Sequence, residues 1–207
     1  FNEPDYSANN APSPTEMATV ARLLRQDPTL AQIDIAGPSC LNPDYAYAWW
    51  ETMKNDLQVG NTHQLAGSFD SFAGFYAAVK ASGKKSTGDE MHNINDALIG
   101  MNYGMTDGIW WSDFGSYTRA ELGRASLDGE RIGYAENRGN WTAASVYRHD
   151  DGRVKAFIGS SERQAATTDY QFVSVDHDVY FDGQGPLRVF RMEIPGGTVG
   201  SYQKGQT

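Results

Sequence analysis

Phe72-Ala73-Gly74-Phe75-Tyr76-Ala77-Ala78-Val79-Lys80-Ala81-Ser82-Gly83-Lys84-Lys85-Ser86-Thr87-Gly88-Asp89-Glu90 sets a helix signal directly before a strand signal. Phe72, Phe75, Tyr76 and Val79 fall at i, i+3, i+4 and i+7, the spacing that gathers apolar side chains on one face of a helix. Gly83 is a plausible stop. Lys84 to Glu90 then reads as a strand that closes on two acids. Whether this helix-then-strand pattern recurs decides the fold.

It recurs on both sides. Downstream, Ile94, Ala97, Leu98, Met101 and Met105 form a second apolar helical stripe, and Gly108-Ile109-Trp110-Trp111 reads as a buried strand. Upstream, Val59 to Leu65 is a weak strand and Tyr45 to Leu57 a helix. Ile33-Asp34-Ile35-Ala36 is a short strand that Gly37-Pro38 ends. Met17, Val20, Ala21 and Leu24 share one helix face, with Thr15 before Glu16 as the expected cap. Four strands alternating with helices imply βα units and a parallel sheet over residues 1–133. No repeat of fixed period and no low-complexity tract interrupts them.

From about Tyr134 the pattern changes. Thr142 to Arg148 and Arg153 to Ile158 are strand-like runs joined by His149-Asp150-Asp151-Gly152, and Asp-Gly between two such runs signals a hairpin. Tyr170 to Phe181 and Leu187 to Ile194 form a second pair around Asp182-Gly183-Gln184-Gly185-Pro186. Residues 134–207 are therefore expected to form an antiparallel β-sandwich, or part of one.

Composition narrows the function. The 207 residues hold 17 basic and 26 acidic side chains, a net charge of −9. With no Lys/Arg cluster, such a chain repels a phosphate backbone, so no nucleic-acid partner is expected. No stretch nears the ~20 apolar residues of a membrane helix, so no membrane partner is expected either. Five Trp, 11 Tyr, nine Phe and 22 Gly describe an acidic, turn-rich, aromatic-rich chain, a composition shared by many proteins that bind neutral sugars and by many that do not. The single Cys40 rules out an intrachain disulfide and is expected to be a buried thiol. The chain opens on Phe1 rather than Met and shows no signal peptide, and is expected to be a processed or truncated product.

Two carboxylates stand where strands end. Glu3 precedes the first helix, and Glu90 closes a strand three βα units later. In a parallel barrel, strands that far apart face each other across the mouth. Paired carboxylates across a cleft are what glycoside hydrolysis requires, one to protonate the leaving oxygen and one to attack the anomeric carbon or activate water.

On these residues the chain resembles the clan A retaining glycoside hydrolases of the family 30 and family 5 type. Phe1-Asn2-Glu3-Pro4 looks like the Asn-Glu-Pro signature that ends strand four of their (β/α)8 barrels. Counting from Glu3, the strands at Ile33, Val59, Lys84 and Asp107 become five, six, seven and eight, and Glu90 falls on strand seven. The resemblance implies α/β architecture: the C-terminal part of a TIM barrel, strands four to eight, before the β-sandwich. It implies a secreted enzyme that cleaves a β-linked polysaccharide or oligosaccharide by double displacement. Glu3 would be the general acid/base and Glu90 the nucleophile. Asn2 would bind the sugar 2-hydroxyl, His63 would be a polar partner beside Glu90, and Trp110 or Trp111 would stack on a sugar face. Gly88-Asp89 stands where the family usually has Thr or Ser before Glu, so Asp89 competes with Glu90 for the nucleophile's role. The missing barrel half is expected as a second chain or as residues absent from this sequence.

No cofactor is expected. No phosphate-binding glycine pattern follows a strand, and His63, His92, His149 and His177 form no metal spacing. Asp176-His177-Asp178 sits within a strand, where neighbours alternate faces. Two other readings stay open: a non-catalytic carbohydrate-binding or scaffold protein, and a lyase using Glu3 and Glu90 as acid and base.

Overall fold

The structure, a computed structural model, describes residues 1–111, 117–160, 166–174, 178–181, 184–187 and 189–194. Four helices alternate with four strands in its first part. Helix α1 spans Pro14–Gln26, α2 Pro43–Met53, α3 Phe69–Ala81 and α4 Ile94–Tyr103. Each begins at a side chain that takes up an otherwise unpaired backbone N–H. The cap of α1 is Ser13, not Thr15. With Pro14 fixing the first helical position, Ser13 and Glu16 close a reciprocal capping box. Asn93 and Asp96 do the same for α4, while Asn42 and Ser68 cap α2 and α3. The buried side of α1 is Met17, Ala18 and Ala21; Val20 and Leu24, expected on that face, are exposed.

The strands are β1 (Ala36–Cys40), β2 (Val59–Thr62), β3 (Lys85–Met91) and β4 (Asp107–Trp110). They pair in parallel in the order β1-β2-β3-β4. The first lies later than its sequence suggests. Gly37-Pro38 was expected to end a strand at Ile33–Ala36, yet Pro38 lies inside β1 opposite Asn61. β1 is an edge strand among the described ones, where a missing ladder donor is tolerated. Ile33 is exposed and outside the sheet.

The helices cover one face of this sheet. Trp50, Met53 and Leu57 of the α2 region meet Phe72, Phe75, Tyr76 and Val79 of α3, and Leu98 and Ile99 of α4 continue the same core. Trp50 and Phe75 pack edge to face with centroids 6.2 Å apart. Gly60 lets β2 and α3 approach closely: a Cβ there would lie 2.4 Å from Val79 Cγ2.

A further helix, α5 (Tyr117–Asp128), was not expected. Of its apolar side chains Leu122 and Ala125 are buried while Leu127 is exposed, too sparse a stripe to read as periodic. Strand β5 (Gly129–Asn137) follows directly and crosses the division expected at residue 133. It pairs antiparallel with β6 (Thr142–His149), which pairs with β7 (Val154–Ser160) through the Asp-Gly turn, where Gly152 has a φ of 83°. Strand β8 (Thr168–Val173) pairs with β11 (Val189–Ile194), and β9 (Val179–Phe181) with β10 (Gln184–Leu187). Asp176-His177 and Asp182-Gly183 lie outside the described residues. The run expected from Tyr170 to Phe181 is thus two strands with different partners.

The three-stranded sheet shares a core with the helices. Asn95 Nδ2 donates to the Trp141 carbonyl at 2.8 Å, and Trp141 packs edge to face on Phe69. The result is a mixed α/β fold with one parallel sheet and antiparallel pairing after it.

Candidate active site

The C-terminal ends of β1, β2 and β3 converge on one imidazole. His63 directly follows β2, and its N–H donates to the Cys40 carbonyl of β1 at 2.8 Å. Its side chain is wholly covered, with 0% exposure. Behind it, the Tyr76 hydroxyl, buried under α3, contacts the carbonyls of Thr62 and Thr87, both at 3.1 Å. One phenol therefore spans the ends of β2 and β3.

Three carboxylates surround His63. Its Nε2 lies 2.8 Å from Asp89 Oδ1; its Nδ1 lies 3.3 Å from Glu3 Oε1 and 3.9 Å from Glu90 Oε2. Asp89 and Glu90 are consecutive, so a regular strand would send them to opposite faces. The pairing of β3 with β4 slips between Gly88 and Met91, and such a bulge re-aims side chains. Both acids thereby reach the same ring.

Glu3 is held from β1. Its N–H donates to the Ser39 carbonyl at 3.0 Å. Asp5 accepts from the backbone of Leu41 and Asn42 at 2.7 and 2.9 Å, which ties the N-terminal segment to the loop after β1. The register of β1 also slips, between Pro38 and Cys40, and Ser39 there has a φ of 57°. Ser39 so placed accepts from Asn61 Nδ2 on β2 at 2.7 Å.

The charges settle each other. Burial opposes a charged His63, but the hydrogen bond and charge of Asp89, then Glu3, then the charge of Glu90 outweigh it, and its pKa is raised. Burial would raise the Asp89 carboxyl, yet its contacts with His63 and Asn61 prevail and its pKa is lowered. Cys40 is fully buried, and burial followed by the Asp5 charge pushes its thiol up. Glu3, His63 and Glu90 each offer a ligand atom within 4.8 Å of the others, a set that could hold a metal ion. In the structure both ring nitrogens of His63 already face carboxylates.

A second histidine stands on the far side of Glu90. His92 Nε2 lies 3.2 Å from Glu90 Oε1, and its ring is stacked on Trp111 with centroids 4.9 Å apart and planes 9° apart. Arg119 of α5 donates to the carbonyls of His92 and Trp111 at 2.6 and 3.1 Å, and its guanidinium covers Trp110.

Of the residues singled out in the sequence, Glu3, His63 and Glu90 come together with Asp89. His63 makes its hydrogen bonds to Asp89 and Glu3 rather than to Glu90, and its covered side chain offers no surface to a sugar. Trp110 is buried and Trp111 is 55% exposed beside Glu90 through His92. Asn2 is exposed; its carbonyl accepts from Asn9 Nδ2. Sequence reasoning missed His92, Asn61 and Arg119. His92, two residues after Glu90, carried a usable signal; Arg119 belongs to the helix with too sparse a stripe. A cavity of about 450 Å³ between β5, β6 and β8 is lined by none of Glu3, His63, Asp89 and Glu90.

No protein-family model matches the chain, and no curated protein sequence matches it. A solved structure is similar: the GH30 endoxylanase from Clostridium papyrosolvens C71, with a TM-score of 0.50 and 18% identity. The match covers 94% of this chain and 61% of that chain, so this chain spans less than two thirds of the endoxylanase's length. The likeness is one of fold: a mixed α/β chain with a parallel sheet and antiparallel strands.

Proposed function

We propose that the protein is a retaining glycoside hydrolase of the family 30 type acting on a β-linked polysaccharide or oligosaccharide. The observation that carries this reading is the proximity of Glu3 and Glu90, whose nearest carboxylate oxygens lie within 4.8 Å of each other beside His63. Double displacement uses carboxyl groups about 5–5.5 Å apart. In the first step Glu90 forms a bond to the anomeric carbon as the glycosidic bond breaks, and the Glu3 proton passes to the leaving oxygen. In the second, Glu3 takes a proton from water, the water oxygen bonds to the anomeric carbon, and Glu90 is released. Asp89 faces the other side of His63, which favours Glu90 as the nucleophile. Trp111 offers the exposed ring on which a sugar face would stack, and Asn2 would meet the 2-hydroxyl.

The four parallel strands are read as strands five to eight of a (β/α)8 barrel, with Glu3 closing strand four and the antiparallel strands forming an accessory β-sandwich. Further βα units would cover the outer edge of β1 and the exposed Val20, Leu23 and Leu24 of α1. The substrate class is that of a secreted enzyme. No described helix is long and apolar enough to cross a membrane.

The test is hydrolysis of β-linked polysaccharides, beginning with xylan because the structural neighbour is an endoxylanase. Reducing ends should appear, with the β-anomer formed first by proton NMR, and both Glu3→Gln and Glu90→Gln should lose about 10²–10⁴-fold or more in rate. Full activity in either variant would overturn the assignment. Binding without turnover would favour a sugar-binding protein, and an unsaturated product a lyase.

A further inference from the structure

The two carboxylates have different nearest histidines. His63, fixed at its far nitrogen by Asp89 at 2.8 Å, reaches Glu3 at 3.3 Å and Glu90 only at 3.9 Å. His92, laid flat on Trp111, reaches Glu90 at 3.2 Å. The two rings are also held differently. His63 is enclosed between β1, β2 and β3, whereas His92 is fixed by its stack and by Arg119, which holds the backbone carbonyls of both His92 and Trp111.

We propose that each carboxylate has its own positioning histidine: His63, backed by Asp89, sets Glu3, and His92, backed by Trp111 and Arg119, sets Glu90. The inference rests on the glycosidase reading for its kinetic consequence, but the wiring itself does not. A proton from Glu3 matters in breaking the glycosidic bond only when the leaving oxygen is a poor leaving group. A 2,4-dinitrophenolate departs without a proton, while Glu90 must form its bond to the anomeric carbon in either case. Loss of the Glu3-side histidine therefore spares an activated substrate in the bond-breaking step, and loss of the Glu90-side histidine does not. A ring that merely supports the fold would affect both substrates alike.

Two measurements on the protein carrying this chain test the proposal. In the first, imidazole resonances are followed by NMR in folded Glu3→Gln and Glu90→Gln variants. The His63 signals should move more in Glu3→Gln, and the His92 signals more in Glu90→Gln. Equal or reversed responses would overturn the wiring, whatever the protein catalyses. In the second, kcat/KM is compared for xylotetraose and 2,4-dinitrophenyl β-xylobioside. His63→Gln should lower it on the order of 10²-fold for xylotetraose and little for the aryl glycoside, and His92→Gln should lower both, since misplacing a reacting group costs about that much. Equal losses on the two substrates in His63→Gln would overturn the kinetic half of the proposal. If neither parent nor variants cleave either substrate, the glycosidase reading fails on xylosides, and the resonances alone decide the wiring.

Discussion

His63 Nε2 and Asp89 Oδ1 stand 2.8 Å apart across the ends of β2 and β3, with the imidazole wholly out of solvent. This pair shifts both titrations, His63 upward and Asp89 downward. His63 lies above its ordinary 6.5, so its contribution to stability is fully present below that pH and is lost as pH rises through the raised value. Asp89 lies below its ordinary 3.8, so its contribution is present above that pH and is lost as pH falls through the lowered value. In Asp89→Asn the His63 midpoint should fall when followed by NMR, and the alkaline loss of stability should flatten. An unchanged midpoint would show that Glu3 and Glu90 hold the charge alone.

Tyr76→Phe removes the hydroxyl that spans Thr62 and Thr87. Burial, the largest influence, pushes this phenol far up, so it stays neutral. Leaving buried carbonyls short of a donor costs about 1–3 kcal/mol. Chemical denaturation should show that loss without a large change in slope, because the core keeps its shape.

Gly60→Ala should destabilise by about 1–3 kcal/mol, because the new methyl meets Val79 and overpacks the interface of β2 and α3. Adding Val79→Ala removes the clash. The double variant should therefore cost less than the sum of the single losses in thermal unfolding, and simple additivity would contradict the close approach.

Glu136 on β5 accepts from Tyr103 of α4 at 2.8 and 2.9 Å, from Tyr134 at 2.6 Å and from Arg138 at 2.7 Å; Arg138 also pairs with Asp70 of α3. Glu136→Ala leaves two phenols and a guanidinium without their common acceptor. A loss of about 2 kcal/mol is expected, with faster amide exchange along β5. Unchanged exchange there would mean that the network does not join the antiparallel sheet to the helices.

The sequence alone determined the alternation of helices and strands and the β6–β7 hairpin. Apolar period, capping side chains and Asp-Gly turns act over a few residues and are written in the chain. Phe72, Phe75, Tyr76 and Val79 are buried as their spacing requires. The sequence also marked Glu3 and Glu90, because strand ends of a parallel sheet collect on one edge.

What it could not carry was local departure from regular pairing. The bulge at Asp89-Glu90, the displacement of β1 through Pro38 and the left-handed Ser39 depend on which strand lies alongside. The hydrogen bonds of His63 depend on three strand ends meeting at one point, and the stack of His92 on Trp111 on a slip between β3 and β4. Periodicity says which face a side chain takes on an ideal strand. Tertiary pairing decides where the strand ceases to be ideal, and that is where these carboxylates acquire their partners.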